Sequence, residues 1–402
     1  MSDPNEVLFP ITRAQLDTGL RGFPVGSCMT SAVHPQEGVS YVGYPVAELA
    51  FHDPEAVAYL LYNRELPTDA QLAEYKQLLA SRTGIPAKVL DILKSLPKEG
   101  HPMEWLITGI VLLGMTCKTG NYLQDAYDVT AKTPELIAAI FRIKQGWGDP
   151  IAPDPKLGLI ENFVHMLGVP GGDTKKLEKL LRVFYVLHMD HGGGNLSTFV
   201  GKAVASSHTD MYSSLASGMA GLYGPLHGRA NQECIEAVEE FGTPDPVEVE
   251  KKVREKLASG EVIAGFGHAV LRAEDPRAKV QYVLGEELCP NDLLFRTAVT
   301  MREVVPRILK ENPKIQNPYP NVDAVSGTLL NACGLTDSNY YTLLFGLSRL
   351  PGIAAQIVDE RTRMRGGKGV AIYRPKYVAL NQPKRSLHGD TPAGETSPTL
   401  AG

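Results

Sequence analysis

Apolar residues recur at helical spacing along most of this 402-residue chain. Pro67-Thr68-Asp69 opens a segment with Leu72, Tyr75, Leu78 and Leu79 on one face, and Gly84 closes it. Thr133-Pro134-Glu135 reads as a cap followed by proline at the first helical position. It predicts a helix that starts there and carries Leu136, Ile137, Ile140 and Phe141. Asp173 to Met189 places Leu177, Leu180, Leu181, Phe184 and Leu187 in one stripe, and Asp245-Pro246 starts a charged helix seamed by Val249, Val253 and Leu257. Asp292 to Lys310 is another helix, with Pro306 expected to bend it. Trp105 to Met115 is apolar but shorter than the roughly 20 residues that cross a bilayer, and it reads as a core helix. Only Val39–Val46 and Gly369–Tyr373 look β-like, neither with hairpin chemistry around it. The pattern predicts an all-α protein with one or two small ribbons. From about Gln382 the chain turns to Pro, Gly, Ser and Thr and reads as a disordered tail.

Composition narrows the function. The length suits a large core split over two domains. A net charge of −5 gives no whole-surface attraction to nucleic acid or an anionic membrane. An anionic ligand would therefore need a local cluster of basic residues. Five scattered cysteines without a C-x-x-C pair argue against a disulfide framework and a zinc site. They fit a reducing compartment, and the N-terminus lacks the features of a signal or transit peptide. The expected location is the cytoplasm.

Candidate chemistry sits in glycine-rich turns. A helix runs into His188 and breaks at Asp190-His191-Gly192-Gly193-Gly194-Asn195, which would free backbone N–H groups for a ligand. Gly224-Pro225-Leu226-His227-Gly228 presents a second histidine. Gly265-Phe266-Gly267-His268 presents a third, followed by Arg272 and Asp275-Pro276-Arg277. Asp323 lies just beyond Pro318 and Pro320. A lone loop histidine is more often a hydrogen-bond partner than a catalyst, but core packing does not account for this combination. Metal-ligand spacing is missing, and Gly265-x-Gly267 lacks the third glycine of a dinucleotide fingerprint. Arg361, Arg363, Arg365, Lys368, Arg374 and Lys376 crowd together, mostly as a solvated basic face. Arg349 differs, because it interrupts an apolar helical run from Tyr340 to Leu350. A buried arginine needs an anionic partner, and a guanidinium suits a carboxylate.

Residues 224–233 (Gly-Pro-Leu-His-Gly-Arg-Ala-Asn-Gln-Glu), 265–272 (Gly-Phe-Gly-His-Ala-Val-Leu-Arg), 275–277 (Asp-Pro-Arg) and 320–324 (Pro-Asn-Val-Asp-Ala) resemble the signature segments of the citrate synthase family. The continuation through Ser348-Arg349 fits as well, and the likeness runs from Val25-Gly26 to Arg374-Pro375-Lys376. It is closer to the eukaryotic-type branch. The resemblance implies the citrate synthase fold: a large helical domain of residues 1–228 and 341–381, a small one of 229–340, and a site in the cleft between them. It implies condensation of acetyl-CoA with oxaloacetate in a homodimer, with acetyl-CoA as substrate, no cofactor and no metal.

In that reading His227, His268 and Asp323 are catalytic. His191, Arg277, Arg349 and Arg374 hold oxaloacetate, Arg374 from the other subunit. Arg272, Lys314, Ala264, Gly265 and Gly267 meet CoA. The chain departs from many relatives at Gly192 (glutamate), Gln316 (lysine) and Val325 (histidine), and its interval from Arg349 to Arg374 is longer. The same residues would also serve 2-methylcitrate synthase, which takes propionyl-CoA. A non-catalytic assembly protein on this fold would instead show a damaged site.

Overall fold

The structure, a computed structural model, describes residue 7 and residues 10–378. The tail expected from Gln382 lies outside the described residues. A small antiparallel sheet comes first, with β1 (Ser31–His34), β2 (Gly38–Tyr41) and β3 (Tyr44–Pro45) in sequential order. Helices follow as α1 (Val46–Leu49), α2 (Pro54–Asn63), α3 (Asp69–Ala80), α4 (Ala87–Ser95), α5 (Pro102–Cys117), α6 (Tyr122–Gln145), α7 (Leu159–Leu167) and α8 (Thr174–His188). Next come α9 (Leu196–Ala205), α10 (Met211–Leu222), α11 (Ala230–Phe241), α12 (Pro246–Ala258), α13 (Pro276–Leu288), α14 (Leu293–Leu309), α15 (Asp323–Ala332) and α16 (Tyr341–Val358). The protein is all-α with one small ribbon, as the pattern predicts.

The predicted caps act as caps. Thr68, Asp173, Asp245 and Asp292 each accept from a backbone N–H in the first turn of the helix that follows. Thr133-Pro134 does not. These residues lie inside α6, which starts at the Asn121 cap, and the Thr133 hydroxyl donates back to Val129 O. Every residue of α6 from Asp125 to Arg142 is buried. Packing on all sides thus carries the helix past the N–H that Pro134 lacks.

The ribbon also corrects the reading. Val42 and Gly43 have φ of 49° and 89°, the left-handed pair that a two-residue hairpin turn needs. A valine seldom adopts that conformation, so the turn was not visible in the sequence. Gly369–Tyr373 forms no strand; Val370 N–H donates to Glu360 O at 3.1 Å and Tyr373 N–H to Ser206 Oγ at 3.1 Å. Within the supposed basic face, Arg361 is buried and donates to Val370 O, and Arg363 pairs with Asp359 at 2.8 Å.

α16 is the axis of the molecule and packs on α2, α6, α8, α9 and α10. The stretch Ser338–Arg363 is long and apolar enough to cross a membrane, but its apolar window is 94% buried in the protein, which makes it a core helix. Helices α11 to α15 pack chiefly on one another. Gly352 lets α16 meet the end of α8, since a Cβ there would lie 2.0 Å from Met189 O and 2.9 Å from Asp190 Cβ. The obstacle is backbone, which cannot swing away. Gly352→Ala should therefore cost about 3 kcal/mol or more, read as a lowered midpoint in urea denaturation.

Candidate active site

The site grows from the end of α8. His188 stacks on Phe184 with ring centroids 4.1 Å apart, and its Nδ1–H donates to Phe184 O at 2.8 Å. Burial pushes its pKa down to about 3, so it is a neutral packing residue. The chain then leaves the helix at Asp190, which is fully buried. Asp190 accepts from Thr30 Oγ1 at 2.5 Å, from His191 N–H at 2.8 Å and from Gln356 Nε2 at 2.8 Å. Gly192, at φ 68°, donates its N–H to Ser31 Oγ at 2.7 Å. Strand β1 thus holds the loop that carries His191. Asn195 closes the loop and caps α9 through Oδ1 to Thr198 N–H at 3.1 Å.

The turn after α10 sets His227. Gly228 N–H donates to Leu222 O at 2.9 Å, an approach that a side chain would block. His227 Nε2 accepts from Ser197 N–H at 3.2 Å and lies 2.9 Å from Ser197 Oγ. Because a backbone N–H points at Nε2, the ring proton of neutral His227 sits on Nδ1. Burial, with Arg349 adding to it, lowers this histidine to about 4. It is therefore neutral near pH 7.

The other glycine turn is zipped to the proline segment. Gly267 N–H donates to Tyr319 O at 2.9 Å, Asn321 N–H to Gly265 O at 2.9 Å, and Asn321 Nδ2 to Gly267 O at 3.0 Å. Gly265 and Gly267 stand at φ 83° and 94°, a backbone that side chains disfavour. Asn321 Oδ1 then accepts Asp323 N–H at 2.9 Å and fixes the start of α15. His268 Nδ1 accepts from Val270 and Leu271 N–H, both at 3.0 Å. Its proton must sit on Nε2, and burial lowers its pKa to about 4. His227 and His268 are thus neutral donors through opposite ring nitrogens.

Charge completes the arrangement. Burial raises Asp323 to about 6 even though Arg277 pulls the other way. Arg277 forks onto buried Asp275 through Nε at 3.0 Å and Nη2 at 2.7 Å. Arg349 is 2% exposed, donates from Nε to His188 O at 2.9 Å and lies over the Phe345 ring at 4.7 Å. Among the described residues no carboxylate lies within ion-pair distance of it. Burial lowers its pKa to about 10, still a cation at neutral pH. The His191 and His268 rings lie 5.6 Å apart; burial and Arg277 push His191 well below its ordinary value.

The structure therefore gathers His191, His227, His268, Arg277, Arg349 and Asp323. Arg374 stands apart, exposed in the C-terminal segment. Arg272 is exposed, with Nη1 donating to Leu271 O at 2.8 Å and Val270 O at 3.0 Å. Lys314 is exposed in the turn after α14, and Ala264 leads into the glycine turn half-buried. Sequence reasoning missed Ser197, Asn321 and Gln356 as partners of the site. Ser197 and Gln356 are ordinary polar residues whose partners lie elsewhere in the fold, and Asn321 joins a local bond to Asp323 with a distant one to Gly267. Among the described residues no group of three or more His, Cys, Asp or Glu is placed to hold a metal.

Fold and site together define a helical enzyme with buried arginines beside a carboxylate of raised pKa. The model of the citrate synthase C-terminal domain matches residues 19–376. The chain is 36% identical to mitochondrial citrate synthase 4 of Arabidopsis thaliana, over 90% of this chain and 81% of the relative. It is also 36% identical to peroxisomal citrate synthase of Saccharomyces cerevisiae, over 92% and 85%. Its fold matches citrate synthase of Thermotoga maritima with a TM-score of 0.79 and 30% identity, covering 92% and 96% of the two chains. The chain belongs to the citrate synthase family and is an enzyme of the transferase class. The compartments in the relatives' names, mitochondrion and peroxisome, lend no support to the cytoplasm.

Proposed function

We propose that this enzyme condenses acetyl-CoA with oxaloacetate and hydrolyses citryl-CoA to citrate and CoA. The observation that carries the reading is Arg349, a buried cation without an ion-paired carboxylate among the described residues, beside two neutral histidines and Asp323. Oxaloacetate supplies the missing carboxylates, held by Arg349, Arg277 and His191, with Arg374 from a second copy. Asp323 takes a proton from the acetyl methyl group. His227 Nδ1–H donates to the thioester oxygen as negative charge gathers there. The resulting carbon nucleophile attacks the ketone carbon, and His268 Nε2–H donates to the forming alkoxide. Water then cleaves the thioester. None of these steps transfers electrons to a redox group, so no cofactor is called for.

Arg272 and Lys314, both exposed, would meet CoA phosphates in this reading, with the turn at Ala264, Gly265 and Gly267 against its adenine end. Residues 229–340, which include α11 to α15, form the small domain that closes over the cleft. Exposed Met115 of α5, Leu196 of α9 and Leu226 after α10 support a homodimer. Five unpaired cysteines favour a reducing compartment, the cytoplasm in this reading.

The test is thiol release with acetyl-CoA or propionyl-CoA, each with oxaloacetate. Faster release from acetyl-CoA is expected. A preference for propionyl-CoA would move the reading to 2-methylcitrate synthase, because one methyl group shifts discrimination by only about 1–3 kcal/mol. No release with either would leave an assembly protein on this fold.

A further inference from the structure

Behind the His191 loop runs a chain of buried polar side chains that the reaction steps do not use. Gln356 on α16 is 2% exposed and donates from Nε2 to Asp190 Oδ1 at 2.8 Å and to Gly192 O at 3.1 Å. Its Oε1 accepts from Lys202 Nζ of α9 at 3.1 Å. Lys202 also pairs with Glu360 at 3.1 Å, and both are buried. Glu360 Oε1 in turn accepts from the hydroxyl of Tyr373 at 3.0 Å. Tyr373 immediately precedes Arg374.

The charges along this chain fix the direction of the Gln356 amide. Its NH2 faces a carboxylate and a carbonyl, and its oxygen faces an ammonium. A flipped amide would set oxygen against Asp190 and NH2 against Lys202, losing three bonds. The held NH2 then grips both sides of His191, since Asp190 Oδ1 also accepts the His191 N–H and Gly192 O follows it in the chain. That grip matters because the loop has three consecutive glycines, and glycine gives the backbone little stiffness of its own. Gly193 is also what lets Lys202 come so near: a Cβ there would lie 3.0 Å from Nζ and 3.4 Å from Gln356 Oε1. A buried ion pair is seldom a net source of stability, so Lys202–Glu360 fits a role in setting geometry.

We propose that Gln356, oriented by Lys202, is a positioning residue that holds the His191 loop in its oxaloacetate-binding form and ties it, through Glu360 and Tyr373, to the segment bearing Arg374. This rests on the reading of His191 as an oxaloacetate contact.

The experiment measures both Michaelis constants for Gln356→Leu, which keeps the volume and removes both donors. KM for oxaloacetate should rise about 10-fold or more, the scale of a lost charge-assisted hydrogen bond, while KM for acetyl-CoA changes less than about 2-fold. In that background Lys202→Met should raise KM for oxaloacetate by less than it does alone, since the part of its effect that passes through Gln356 is already lost. Should Gln356→Leu not fold, Gln356→Met gives the same readout. An unchanged KM for oxaloacetate in an active variant, or a loss of kcat alone that follows the unfolded fraction, overturns the proposal. Wild-type protein that releases no thiol with oxaloacetate would instead sink the functional reading beneath it.

Discussion

Asp323→Asn is expected to lower kcat for thiol release by about 10²–10⁴-fold, the range for removal of a positioned general base, and to make the folded protein more stable at pH 8. Both effects come from the same burial. Asp323 stands at about 6 rather than 3.8 because desolvation disfavours its charge, and the positive field of Arg277 only partly offsets that. A base near 6 is stronger than an ordinary carboxylate yet mostly ionised at neutral pH, which suits removal of a proton from a weak carbon acid.

The stability effect has a definite sign. The folded pKa lies above the unfolded one, so the ionised carboxylate opposes folding. That penalty is fully present above pH 6 and fades as pH falls through about 6 towards 4. Asparagine removes it, for a gain on the order of 1–3 kcal/mol at pH 8 that should vanish near pH 4. For wild-type enzyme, kcat/KM should rise with pH through about 6 and then level, since His227 and His268, both near 4, are already neutral there. Thermal denaturation at the two pH values and a pH–rate profile check these points. A variant that loses activity and stability together at pH 8 would mark Asp323 as structural.

Much of this site was legible because its chemistry needs unusual backbone. Glycine at 265 and 267 and prolines at 318 and 320 stand out in a sequence, and they surround the titratable groups they position. The aspartate caps of α8, α12 and α14 were readable for a similar reason, since cap and helix are adjacent in the chain. What stayed hidden depends on distant partners. Ser197 becomes the partner of His227 across 30 positions, and Gln356 reaches Asp190 across 166. Neither residue carries a local signature. Thr133-Pro134 misled for the opposite reason. Its local signal was strong, but burial along α6 overrode it. Val42-Gly43 hid a turn because valine is a poor occupant of its conformation. Arg349 stands between these cases: a cation in an apolar helical run announced an anion, but only the folded chain shows that no carboxylate among the described residues pairs with it.

That unpaired guanidinium sets the second large effect. Arg349→Leu is expected to reduce kcat/KM for oxaloacetate by about 10²–10⁴-fold, the loss of one or two hydrogen bonds to a charged ligand at 1.5–3 kcal/mol each. Lysine should restore little, because a single ammonium cannot offer the parallel donors of a guanidinium. The fold should tolerate leucine. Breaking a buried ion pair costs several kcal/mol by leaving one charge behind, but Arg349 has no such partner among the described residues. What leucine removes is one bond to His188 O, a longer one to Asn195 Oδ1 and packing over Phe345, offset by relief of a desolvated cation. Calorimetry separates binding from chemistry. Oxaloacetate at 100 times its Kd should stabilise wild-type protein by about 2.7 kcal/mol, and the leucine variant at the same concentration by almost nothing. If the variant still gains the full thermal shift, the carboxylates are held elsewhere and Arg349 serves only the core.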